Sequence, residues 1–227
     1  MYDIVFISYN ELAADKNYAA LKQKFPMAKR VHGVKGIHHA HIKAAKKCFT
    51  KMFWVVDADA LVMENFKFDY IVPEHQLDHV HVWRSINPIN QLEYGYGGIK
   101  LFPRKLTINM DTSKTDMTTS ITDKFKAMPE VANITAFNTD EFSTWRSAFR
   151  ECAKLASKTI RGQNNEETEE RLKTWCQVGN DARFGKFCIS GACSGRDFGY
   201  DCISKSDNLK LINDFDWLKE KFDAEYS

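Results

Sequence analysis

The first 60 residues alternate between two hydrophobic periods. DIVFISYN, residues 3–10, is a short β-branched and aromatic run. ADKNYAALKQKF places apolar residues at helical spacing until Pro26 stops it. AKRVHGV predicts a second strand, and IHHAHIKAAKKCF a helix with Ile37, Ala40, His41, Ala44 and Cys48 along one side. MFWVVDADA is a third strand, apolar throughout, as expected where both faces of a sheet are covered. Strand, helix, strand, helix, strand over this length is the pattern of a parallel α/β sheet with right-handed crossovers. Ligands in such sheets sit outside the carboxyl ends of the strands. Here those ends carry Ser8-Tyr9-Asn10-Glu11, His32-Gly33 and Asp57-Ala58-Asp59.

The middle of the chain changes texture. HVHVWRSI alternates like a strand, NPINQLEYGYGG is rich in turn residues, and IKLFP is another short strand, so this part is expected to be antiparallel or mixed. DEFSTWRSAFRECAKLASK predicts a helix with Phe142, Trp145, Phe149, Cys152, Leu155 and Ala156 as its buried stripe, and acids at its start match the helix dipole. GQNNEETEE looks like an exposed loop and helix start, and RLKTWCQVGND closes a helix at Gly179. The glycine-rich RFGKFCISGACSGRDFGYDC reads as a hairpin or a mobile loop. LINDFDWLKEKF is a short amphipathic helix. At 227 residues the chain is expected to form one sizeable domain.

Charge is spread unevenly around a net of +2. From Lys16 to Lys51 there are ten Lys or Arg and four His with no Asp or Glu, which argues for an anionic partner, either a phosphorylated small molecule or a nucleic acid backbone, against the plainer reading of a solvated face. The longest apolar runs, IVFI and FWVV, fall far short of the roughly 20 residues of a spanning helix, so no membrane anchor is expected. MYDIVFISYNE has neither a basic leader nor a small-residue cleavage site, and a cytoplasmic protein is expected. The six cysteines are expected to be free thiols, because the chain is large and shows no secretion signal, and no structural zinc site is expected, because no pair has zinc-knuckle spacing and no histidine follows position 81. Without a secretion signal the Asn133-Ile134-Thr135 sequon is expected to stay unglycosylated.

Asp57 and Asp59 raise the sharpest question. In an extended segment residues two apart point the same way, so both carboxylates are presented at one side of the strand end. That suits one hard cation, Mg²⁺ or Mn²⁺, whose other positions go to water and phosphate oxygens. Aspartate at a strand end also serves turns and caps, so the triplet alone does not decide. The preceding acid-free segment favours the cation.

Several stretches together resemble the nucleotide-sugar-dependent glycosyltransferases of the GT-A fold: DIVFISYNE, GIHHAHIKAAKKCFTKMFWVVDADA, GYGGIKLFPR and TDEFSTWR. AKRVHGVKGIHHAHIKAAKK, VHVWRSINPINQLEYGYGGIKLFPR and FNTDEFSTWRSAFREC are similar to stretches of small transferases encoded by large tailed phages. That group is associated with adding sugars, arabinose in particular, to 5-hydroxymethylcytosine in phage DNA.

The resemblance implies a single GT-A domain with a Rossmann-like mixed sheet flanked by helices: residues 1–62 bind the nucleotide-sugar, 79–160 hold the acceptor and catalytic half, and 161–227 form a helical and loop-rich extension. It implies transfer from a UDP-sugar to a hydroxyl of double-stranded DNA in a host-cell cytoplasm, with Mn²⁺ or Mg²⁺ held by Asp57 and Asp59 and with Asp57, Ala58 and Asp59 all facing the donor. Ser8, Tyr9, Asn10, Glu11, Lys35, His38 and His41 are candidates for the donor, although Asn10 and Glu11 also suit helix capping. Asp140 or Glu141 would take the acceptor's proton, one of them also capping the helix, with Asp116 a weaker candidate whose expected job is a cap. Lys35, Arg146 or Arg150 would add positive charge. Trp83, Arg84, Tyr94, Tyr96, Gly97, Gly98 and Arg146 would line the acceptor site, against the readings of Trp83 as core and of the glycines as a hairpin turn.

The chain departs from the family in one respect. Many members supply a late histidine as third metal ligand, and here Asp181, Asp197, or water and diphosphate would have to replace it. Two other readings stay open: transfer to a glycan, lipid or protein, and a non-catalytic nucleotide-sugar-binding protein. Which sugar moves, with which anomeric outcome, and in what oligomeric state are not written in the sequence.

Overall fold

The computed structural model describes residues 1–159 and 164–226. Its contacts divide into two compact units, Met1–Asn87 with Glu93–Ala136, and Pro88–Leu92 with Phe137–Ser227. Ile160, Arg161, Gly162 and Gln163 lie outside the described residues, and with them the proposed boundary at 160/161 and the start of the GQNN stretch.

The first unit is built on one mixed sheet. Its strands are β1 (Asp3–Ser8), β2 (Lys29–His32), β3 (Met52–Asp57), β4 (Ala60–Val62), β5 (Val80–Ile86), β6 (Glu93–Tyr94), β7 (Ile99–Pro103) and β8 (Phe125–Thr135). They lie in the order β2-β1-β3-β7-β5-β8-β4, with β6 beside β5. β1 pairs parallel to both β2 and β3, as the opening alternation predicts, and β7 runs antiparallel between β3 and β5. The α/β class with a mixed sheet flanked by helices is therefore observed.

Two apolar layers cover the sheet. One, with α1 (Ala14–Lys24), buries Phe6, Trp54, Phe66, Phe68 and Trp83, and the Trp54 and Trp83 ring centres lie 4.5 Å apart. The other, with α2 (Ile37–Lys46), α3 (Arg104–Ile108) and α4 (Met117–Ile121), buries Val5, Val31, Ala44, Phe53, Val55 and Phe102. Alternate residues of β3 thus enter opposite cores, which is why FWVV is apolar without a break.

β8 has no clear mark in the sequence. Its alternation is broken by Pro129, and the register explains how a proline is tolerated: Val82 pairs with Ala127 but Arg84 with Val131, so β8 bulges across the residues that include Pro129.

The second unit contains α5 (Glu141–Ala156), α6 (Asn165–Gln177), α7 (Gly185–Cys202) and α8 (Phe215–Tyr226). α7 corrects the expectation of a hairpin or loop over residues 183–202. Gly191, Gly195 and Gly199 recur every four residues and share one helix face. A methyl group on any of them would overlap the backbone of Trp145, Phe149 or Ala153 on α5. The glycines are a groove for close helix packing, and the loss of helix propensity, about 1 kcal/mol each, is offset by that contact. Trp145, Phe149, Phe187, Leu218 and Phe222 form the core beside it.

All six cysteines are free. Burial pushes the thiols of Cys48, Cys176 and Cys188 up to about 12, so they behave as apolar filling. Among the described residues no helix is long and apolar enough to cross a membrane.

Candidate functional site

The carboxyl edge of β3 is where the sequence concentrates its chemistry, and the structure holds that edge by its backbone. The Asp57 N–H donates to the Gly98 carbonyl at 2.8 Å. The Ala136 N–H donates to the Asp59 carbonyl at 2.7 Å. Between them the Asn17 side-chain amide of α1 donates to the Ala58 carbonyl at 2.8 Å. Three peptide units of the turn are thus tied to β7, to the end of β8 and to α1, and both carboxylates remain available.

Those carboxylates are only partly compensated. Lys100 Nζ lies 3.7 Å from Asp57, whose side chain is 34% exposed. Burial pushes Asp59 up to about 7, and the negative charges of Asp57 and Glu11 add to the rise, against smaller opposing effects of its own backbone N–H and Lys100. A divalent cation would relieve this repulsion, so the pair fits a hard metal that draws its other ligands from water and phosphate. Among the described residues no three His, Cys, Asp or Glu are grouped to hold a metal ion. Asp181 is exposed in the turn between α6 and α7, and Asp197 is paired with Arg196 at 2.8 Å.

At the end of β1, Ser8 is buried and its hydroxyl is bonded to Arg30 Nε at 2.9 Å and to His32 Nδ1 at 3.0 Å. Tyr9, Asn10 and Glu11 are exposed. Glu11 accepts from the Tyr9 N–H at 2.7 Å, and the N-cap of α1 is Ala13, without a side-chain cap, so neither Asn10 nor Glu11 serves as the helix cap. Lys35 is exposed in the loop before α2. His38 is half-buried and bonds Ser120 on α4, and burial lowers its pKa. His41 is 3% exposed, donates from Nδ1 to the Ile37 carbonyl at 2.8 Å, and is held neutral by burial, down to about 4. A neutral ring inside the core does not reach a phosphate as a cation, which corrects the donor contact expected of His41.

Around β5 to β7, Trp83 is likewise a correction: at 1% exposure, packed against Trp54, Phe66 and Tyr70, it offers no face to a base. Arg84 is half-exposed and pairs with Glu93 at 3.1 Å. Tyr94 and Tyr96 stack at 4.7 Å. Gly98 has φ +71, and a side chain there would collide with the Asn133 amide, so glycine is required for its carbonyl to reach Asp57. Asn133 is wholly buried and donates to Ser85 at 2.9 Å and Thr135 at 3.1 Å, close beneath Gly97 and Gly98.

In the second unit Asp140 is the N-cap of α5. It accepts from the Ser143 N–H at 2.8 Å and from the Thr139 hydroxyl at 3.1 Å. Burial would raise its pKa, but these hydrogen bonds and the charge of Arg146 outweigh that and lower it. Glu141 is exposed. Arg146 lies over the rings of Phe142 and Phe215. Arg150 is engaged structurally, its Nε donating to the Ile212 carbonyl at 2.8 Å. Asp116 caps α4 through the Thr119 N–H at 2.9 Å.

The sequence reading missed Asn17, Lys100, Ser85 and Asn133. Lys100 alone had a visible signal, a cation in the otherwise apolar strand IKLFP. The two asparagines act through partners 41 and 48 residues away, which no local pattern reveals.

No protein-family model matches the chain, and no curated protein matches it. Two solved structures are similar in course. One is a mannosyltransferase, PcManGT from Pyrobaculum calidifontis, in complex with GDP-Man and Mn²⁺: 12% identity, TM-score 0.45, covering 92% of this chain and 81% of that one. The other is HddC from Yersinia pseudotuberculosis: 15% identity, TM-score 0.36, covering 58% of this chain and 92% of that one.

Proposed function

We propose that the protein is a nucleotide-sugar-dependent glycosyltransferase that moves a sugar from a UDP-sugar to the hydroxyl of 5-hydroxymethylcytosine in double-stranded DNA, with arabinose the favoured sugar. The observation that carries the transferase reading is the Asp57–Ala58–Asp59 turn, clamped by two backbone–backbone hydrogen bonds and one from the Asn17 side chain while two like charges stay available at the carboxyl edge of the parallel part of the sheet. A divalent cation bound there, Mn²⁺ or Mg²⁺, would supply charge neutralisation for the departing diphosphate. Asp57 and Asp59 would hold it, with Lys100 3.7 Å from Asp57, and the exposed Tyr9, Glu11 and Lys35 are assigned to the donor. Glu141 rather than Asp140 is assigned the proton from the acceptor, because Asp140 is occupied as a cap with its pKa lowered and Glu141 is open.

The polyanionic acceptor is supported by the basic segment as it folds. Lys29 pairs with Asp3 and Arg30 with Asp15. Lys35, Lys43, Lys46, Lys47 and Lys51 are exposed, with no carboxylate within ion-pair distance among the described residues. Such a surface is expected to bind a phosphate backbone with steep salt dependence.

The test is incubation with Mn²⁺ or Mg²⁺, a panel of UDP-sugars with GDP-mannose beside them, and DNA with or without hydroxymethylcytosine, followed by mass analysis of the released nucleosides. A pentose or hexose increment on hydroxymethylcytosine alone is the expected result. No increment on modified DNA, with transfer to a glycan or other acceptor, would replace the DNA reading. No transfer to any acceptor and no donor hydrolysis would leave a nucleotide-sugar-binding protein.

A further inference from the structure

The structure points to Asn17 as a positioning residue for the Asp57–Asp59 pair, a role that rests on the proposed reading of that pair as a cation site. Asn17 lies near the start of α1 and is 8% exposed. Asparagine is a poor residue for that place on two counts: it lowers helix propensity, and it carries an amide into an apolar layer where an unbonded polar group is costly. The helix itself makes no use of the amide, since α1 has no side-chain cap. Its side chain donates instead to the carbonyl of Ala58, the residue between the two aspartates, at 2.8 Å and from 41 positions away.

The flanking peptide units are held by main-chain bonds to Gly98 and Ala136. The bond to Ala58 is a clamp on the backbone of the turn made by a side chain of another element. It turns the Ala58 carbonyl toward α1. That carbonyl belongs to the peptide unit that leads into Asp59, so the bond fixes the direction of the Asp59 carboxylate relative to Asp57. Ala14 and Leu21, on the same side of α1, belong to the apolar cluster beneath the turn, so packing alone calls for an apolar residue at 17. The amide is explained by the turn, as buried supports of metal-ligating carboxylates generally are.

A merely structural asparagine and a positioning one differ in what replacement does. Asn17→Leu extends the apolar stripe and Asn17→Ala improves helix propensity. A structural role would show in the melting temperature alone. The positioning role predicts that Mn²⁺ affinity of the folded protein, measured by titration calorimetry or by electron paramagnetic resonance of free Mn²⁺, falls about tenfold in both variants. The same role predicts that the melting temperature of Asn17→Leu is unchanged or raised. If the leucine is too large to fit, Asn17→Ala gives the same reading in a smaller volume. Wild-type Mn²⁺ affinity in folded Asn17→Ala would overturn the assignment. Asp59→Asn is titrated alongside: if it keeps wild-type affinity, the cation site itself fails and the role of Asn17 with it. If it loses binding while Asn17→Ala does not, only the positioning role fails.

Discussion

Two acidic pairs, Asp57–Asp59 and Asp140–Glu141, are alike in the sequence and opposite in the structure. At the first, the fold uses the backbone and spares the side chains: amides from β8's end and Asn17 and a carbonyl from β7 hold the turn, and burial with like charge lifts Asp59 to about 7. At the second, the fold spends a side chain: Asp140 is taken up by the Ser143 N–H and its pKa is lowered, leaving Glu141 open to solvent. A carboxylate the fold destabilises is available for a ligand, and one it stabilises is already employed.

The largest expected effect breaks the first pair. Asp59→Asn should lower transfer by about a hundredfold or more, because the second carboxylate proposed to hold the cation is lost. The same substitution should stabilise the metal-free protein above pH 7, since it removes a charge the fold disfavours. A melting curve and a transfer assay on one sample separate the two directions. Next is Glu141→Gln. Removing the proposed general base should reduce turnover by about 10²–10⁴-fold while leaving Mn²⁺ affinity as in the wild type, and an unchanged rate would assign the base to another residue.

The pH dependence sharpens the contrast. Asp59 has a folded pKa raised above its unfolded value of 3.8, so the folded state holds its proton more tightly. Stability of the metal-free protein should therefore fall as pH rises between 3.8 and about 7 and level off above that. Asp140 has the opposite sign: its lowered pKa contributes stability that is present above the unfolded value and is lost as pH falls through the folded one. Melting temperatures of Asp59→Asn and Asp140→Asn across pH should slope differently from wild type in these two windows. Added Mn²⁺ should raise the wild-type melting temperature more at pH 8 than at pH 6, because the proton competes for Asp59. The smallest effect is Asp140→Ala, a lost helix cap that should cost about 1 kcal/mol in denaturant unfolding with no change in Mn²⁺ affinity.

The parallel half of the sheet was legible because its apolar runs and helical periods are local. β3 announces itself in FWVV, and α5 in the spacing of Trp145, Phe149 and Cys152. The losses were non-local. Pro129 hid β8 because a proline is excluded from a regular strand, and only its pairing with β5 reveals the bulge that accepts it. The glycines of α7 argued for a loop by composition, while their four-residue spacing carried the true signal of a helix pressed against α5. Within the candidate site the aspartates were visible and their supports were not, because Asn17 and Asn133 look like any polar residue until the fold supplies partners more than 40 positions distant.

The claim that the first pair is a cation site and the second is not can be decided by one titration. Free Mn²⁺ is followed by electron paramagnetic resonance at pH 7.5 in the presence of UDP, for the wild type, the Asp57→Asn/Asp59→Asn protein and the Asp140→Asn/Glu141→Gln protein. The account predicts that binding is lost in the first variant and matches wild type in the second. Binding that survives loss of Asp57 and Asp59, or disappears with Asp140 and Glu141, would contradict it.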